Sequence, residues 1–133
     1  MNFKRNKLLI YTLFSFILTT ILVIPTYNVK AYKPISSTEV QQILSTPSST
    51  ALIIDVRTPE EFSNGHIPKA INIPLQVLKD SVLSKNLDKH TKIILYCSTG
   101  IRSKRAGEIL DSIGFHNIYQ LGGINKWPYP LKK

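Results

Sequence analysis

Three short apolar runs, Ala51–Val56, Lys92–Cys97 and Ile118–Leu121, recur along this chain, and stretches with helical spacing fill the intervals between them. Such runs are too short for core helices and lack the strict alternation of a strand with one wet face. They suit strands covered on both sides. Between them, Leu75, Leu78, Val82 and Leu87 fall near helical spacing, as do Ala106, Ile109, Leu110 and Ile113, with Gly114 as a C-terminal stop. The alternation predicts an α/β domain: a central, mostly parallel sheet flanked by helices on both faces.

Local signals add detail. Ser36-Ser37-Thr38-Glu39 reads as a capping box opening a short helix through Val40, Ile43 and Leu44. Thr58-Pro59-Glu60-Glu61 opens another, with Thr58 as N-cap, Pro59 at the first helical position and Glu61 completing the box. Gly65-His66-Ile67-Pro68 ends that helix, Ala70–Ile73 reads as a short strand stopped by Pro74, and Gly122-Gly123 is expected to turn into a segment carrying Trp127.

Cys97 is the only cysteine, and it closes the second apolar run. The small, polar loop Ser98-Thr99-Gly100-Ile101 follows, then Arg102-Ser103 and a helical pattern. A thiol between a strand's end and a helix's start meets backbone N–H groups and the positive end of a helix dipole. With the charge expected from Arg102, this favours thiolate over thiol. Cys97 is therefore read as a nucleophile rather than a small buried hydrophobe.

The first 31 residues are set apart from the fold. Lys4, Arg5 and Lys7 precede an uncharged stretch from Leu8 to Ile24, and Val29-Lys30-Ala31 suits cleavage after Ala31. The order predicts either a secretory signal peptide or a retained N-terminal membrane anchor, and in both cases an exported domain at 32–133 with membrane contact only through the leader. Four of the 17 basic residues lie in the leader, leaving 13 against 8 acids, a net +5 spread along the domain. No basic tract with interleaved aromatics suggests nucleic acid. The Arg102, Lys104, Arg105 cluster points instead to a small anionic substrate. A lone thiol forms no internal disulfide, the scattered His66, His90 and His116 suggest no metal site, and nothing in the pattern demands more than a monomer or a cofactor.

Asp55-Val56-Arg57, Gly65-His66-Ile67-Pro68-x-Ala70, Cys97-x-x-Gly100-x-Arg102-Ser103, and Gly122-Gly123 with Trp127, in that order, resemble the rhodanese-like sulfurtransferases. The resemblance runs from about Ile35 to the C-terminus. It implies a rhodanese-like fold in which Cys97 takes a sulfane sulfur from a donor such as thiosulfate, becomes a persulfide, and passes the sulfur to a thiol or cyanide-like acceptor. It places the backbone N–H groups of Ser98, Thr99, Gly100, Ile101 and Arg102 around the bound sulfur, adds Ser103 to the substrate loop, and lets Arg102 pair with the donor or brace the loop. Asp55 and Arg57 become supporting residues, with Arg57 facing the site, while His66 and Trp127 serve the scaffold. Four residues separate Cys97 from Arg102, one fewer than in cysteine phosphatases of related topology, which argues against phosphatase or arsenate reductase chemistry. The rivals to an enzyme are a persulfide carrier or interaction module that does not turn over and, last, a redox-sensing thiol.

Overall fold

The computed structural model describes residues 32–133, so the leader expected over 1–31 lies outside the described residues. In chain order the elements are β1 (Lys33–Pro34), α1 (Ser37–Ser45), β2 (Leu52–Asp55), α2 (Pro59–Ser63), β3 (Ile71–Asn72), α3 (Leu78–Ser84, entered through a 3-10 turn at Leu75–Val77), β4 (Ile93–Cys97), α4 (Ile101–Ser112) and β5 (Ile118–Gly123). A second 3-10 turn, Ile124–Lys126, follows β5. The strands form one sheet in the order β1-β5-β4-β2-β3, and every pairing is parallel. No helix among the described residues is long and apolar enough to cross a membrane.

Side chains alternate across a strand, so each central strand feeds two cores. Ile53, Ile94 and Tyr96 pack with Val40 of α1 and with Trp127 on one face. Ile54, Ile93, Leu95 and Cys97 pack with Leu78 and Val82 of α3 and with Ala106 and Leu110 of α4 on the other. Ile54, Ile93, Ile94 and Leu95 are all fully buried, and each contributes about 1.5–3 kcal/mol of transfer free energy against the entropy cost of folding. Cys97 thus shares its face with α3 and α4, beside the helix its own loop begins.

Both capping boxes form. Ser36 Oγ accepts from the Glu39 N–H at 3.2 Å while Glu39 accepts from the Ser36 N–H at 2.9 Å; Thr58 and Glu61 repeat the pattern at 3.2 and 2.9 Å. Three local readings differ from the sequence expectation. Gly122 and Gly123 are not a turn. They extend β5, and a register shift after Leu95 places them opposite Tyr96 and Cys97. The helix expected through Leu87 stops at Ser84, with Asn86 at a φ of 47°, a left-handed conformation that ends a helix. Strand β1 carries no apolar pattern and pairs only with the edge of β5.

Candidate active site

β4 ends on Cys97 at the C-terminal edge of the sheet, where parallel α/β folds gather ligand-contacting groups. The chain then makes a three-residue loop and enters α4. Gly100 is the residue before the helix, and its φ of 108° is one that a side chain would strain. That conformation turns the Gly100 N–H back onto Cys97 Sγ at 3.0 Å.

Cys97 is only 1% exposed, more shielded than the small, polar loop suggests. Burial by itself raises a thiol's pKa. Here it is outweighed by the backbone N–H groups of Ser103, Gly100 and Thr99 and by the Ser103 hydroxyl, so the thiol is held below its ordinary range. Ser103 is itself buried, and its Oγ donates to the Gly100 carbonyl at 3.1 Å and reaches the Gly122 carbonyl at 3.4 Å. Ser103 therefore fixes the loop from beneath while its backbone N–H faces the Cys97 sulfur. Gly123 supports the loop from the side. A Cβ there would lie 2.6 Å from the Ser98 carbonyl oxygen and 2.9 Å from Thr99 Cα, and would collide with the Asn125 side chain.

Arg102 braces the loop. Its guanidinium donates to both oxygens of Glu61, at 2.7 and 2.8 Å, and to Ser98 Oγ at 2.8 Å; Ser98 in turn donates to Glu61 at 2.9 Å. The bidentate bonds from Arg102 outweigh the penalty of burial and, with lesser help from the Thr58 N–H and Ser98, hold the Glu61 carboxyl far below the usual carboxylate range. The free charge expected from Arg102 is thus largely matched, and the basic cluster is thinner than its sequence suggests, because Arg105 pairs with Glu108 at 3.0 Å. Glu61 was legible only as a capping residue. One of its oxygens accepts from the Thr58 N–H, and both reach across to Arg102, a contact 41 residues away in sequence.

Asp55 and Arg57 form a separate unit. Asp55 is fully buried and Arg57 is 7% exposed. The Asp55 carboxylate accepts from the Arg57 backbone N–H, Nε and terminal nitrogen at 2.6–3.0 Å, and Arg57 also donates to the Gly65 carbonyl at 2.8 Å. Every hydrogen bond of the Arg57 side chain thus serves the scaffold, not the sulfur. His66 stacks on Phe62 at 3.7 Å between centroids, and its Nδ1 lies 3.0 Å from the Phe62 carbonyl. Trp127 packs edge-on against Tyr129. Loop residues Thr99 and Ile101 face outward, Ile101 at 79% exposure.

Cys97 thus sits at a strand-to-helix junction with amide donors on its sulfur, a setting that favours the thiolate. Residues 36–128 match the rhodanese-like domain model, and the chain belongs to that family. The chain is 36% identical over 80 residues to the thiosulfate sulfurtransferase PspE of Escherichia coli, covering 60% of this chain and 77% of that one. It is 34% identical over 100 residues to a tRNA uridine(34) hydroxylase of Hamiltonella defensa, spanning only 28% of that longer protein. Among solved structures, a rhodanese-like domain protein from Staphylococcus aureus superposes with a TM-score of 0.65 at 32% identity, covering 75% of this chain and 96% of that one.

Proposed function

We propose that this chain is a sulfurtransferase that carries sulfane sulfur on Cys97 between a donor such as thiosulfate and a thiol or cyanide-like acceptor. The observation that carries the reading is the thiol itself, whose anionic form is favoured by the Gly100 N–H at 3.0 Å and its neighbouring amides. The Cys97 thiolate attacks the outer sulfur of the donor. The donor's S–S bond breaks and its electron pair leaves on sulfite. The persulfide so formed is a large, diffuse anion, suited to the same converging amides. An acceptor such as cyanide then attacks the outer sulfur, forming thiocyanate and returning the electron pair to Cys97. PspE, the thiosulfate sulfurtransferase of E. coli, supports this reading by likeness.

Cys97→Ser is expected to abolish sulfur transfer with the fold intact; retained thiocyanate formation by that variant sinks the mechanism. The second reading is a persulfide carrier whose delivery a partner controls, favoured by the matched charge on Arg102 and the shielding of Cys97. A carrier loads one sulfur and turns over poorly with thiosulfate and cyanide, whereas an enzyme cycles. The basic-then-apolar leader supports placing the domain outside the cytoplasmic membrane, and fractionation of the full chain into cytoplasmic, membrane and exported pools tests that placement.

A further inference from the structure

Around Cys97 the charges are arranged in an unusual way for a site meant to attract a dianion. Arg102 is the cation of the loop, and Glu61 takes it in a bidentate pair at 2.7 and 2.8 Å. Both side chains are about one-third exposed, so the carboxylate sits at the surface of the site. Arg105 is occupied by Glu108. What the loop presents outward is Thr99 and the sec-butyl group of Ile101. A donor approaching the thiolate therefore meets a matched ion pair and an apolar side chain, and of the Arg102, Lys104, Arg105 cluster only exposed Lys104 has no ion-pair partner among the described residues.

We infer that Glu61 sets the donor preference of the Cys97 loop, by neutralising Arg102, toward alkyl persulfides of low charge and away from dianions such as thiosulfate. The inference rests on the sulfurtransferase reading and narrows its donor class. Glu61 touches Arg102 and Ser98 rather than the reacting sulfur, so it is a positioning and selecting residue. The chemistry balances for either donor. The Cys97 thiolate attacks the outer sulfur, the donor S–S bond breaks, and the electron pair leaves on sulfite from thiosulfate or on an alkyl thiolate from a persulfide. The alkyl thiolate then takes a proton from water.

The test compares second-order rates of Cys97 persulfide formation from thiosulfate and from 2-mercaptoethanol persulfide, in the full chain and in Glu61→Gln. Glutamine can still accept from Arg102 and Ser98, but it leaves the guanidinium charge unmatched. One uncompensated charge roughly 6 Å from a dianion in water is worth about a tenfold change in rate. The thiosulfate-to-persulfide rate ratio is expected to rise about tenfold in Glu61→Gln, with the gain lost at high salt. A brace without selectivity would slow both donors alike and leave the ratio and its salt dependence unchanged, which overturns the inference. Arg102→Gln instead removes the cation and leaves the Glu61 carboxylate bare. It is expected to lower the same ratio about tenfold, and an unchanged ratio overturns the inference even if Glu61→Gln fails to fold. Loading of the unaltered chain from neither donor sinks the sulfurtransferase reading itself and the donor preference with it.

Discussion

Replacing Asp55 with alanine isolates the buried ion pair that supports the sheet edge beneath the site. In the native fold Arg57 gives four contacts to Asp55: the backbone N–H at 2.9 Å, Nε at 3.0 Å to each oxygen, and a terminal nitrogen at 2.6 Å. After the substitution the side chain keeps one hydrogen bond, to the Gly65 carbonyl at 2.8 Å, and its place over the Tyr96 ring. Because Arg57 is 7% exposed, water has little access to replace what is lost, and the guanidinium stays charged. An uncompensated buried charge of this kind costs about 3–5 kcal/mol. For a domain of this size that lowers the Tm by about 12 °C or more. Urea unfolding followed by circular dichroism reads the loss as a reduced midpoint with the slope unchanged. The Asp55→Ala/Arg57→Met double variant removes the orphaned charge, and it is expected to recover part of the loss rather than add to it. A single-variant cost below about 1 kcal/mol, or additive costs in the cycle, would refute the assignment of Asp55 and Arg57 as a coupled buried pair.

Other outcomes follow from the loop. The thiolate absorbance of Cys97, taken as the difference from Cys97→Ser, is expected to titrate with a midpoint below the ordinary value of about 8.5; a midpoint at or above it contradicts the amide-donor account. Because the folded pKa is the lower one, the thiolate's contribution to stability is full above the unfolded pKa and is lost as pH falls through the folded pKa. Gly123→Ala forces a methyl group against the Ser98 carbonyl and Thr99 Cα. It is expected to cost about 1–3 kcal/mol and to slow sulfur loading; a variant of native stability and rate would show that this packing does not hold the loop.

The architecture was legible because its evidence is local. The runs Ala51–Val56 and Lys92–Cys97 are apolar on both faces because helices cover both faces, and Thr58-Pro59-x-Glu61 spells out its own cap. Cys97 could be placed because a strand end, a glycine and a helix start fall within a few residues. What escaped the sequence was tertiary. Glu61 satisfies its capping pattern completely, so nothing local signals that its carboxylate also reaches Arg102. The Gly122-Gly123 pair reads as a turn by composition, and only the register shift in β5 makes it the strand that packs against the Ser98–Thr99 backbone. The family resemblance had Arg57 facing the site; its partners, Asp55 and the Gly65 carbonyl, lie outside any local pattern and turn it inward to the scaffold.

Persulfide chemistry at Cys97 adds one sulfur atom to the chain, which intact-protein mass spectrometry reads without a coupled assay. The reduced domain is measured alone, after a sulfane donor (thiosulfate and 2-mercaptoethanol persulfide in parallel), and again after cyanide. A gain of one sulfur is expected that maps to Cys97, is absent in Cys97→Ser, and is removed by cyanide. No gain from either donor, with Cys97 shown to be reduced and titrating as a thiolate, would contradict it and leave a rhodanese fold without sulfur transfer.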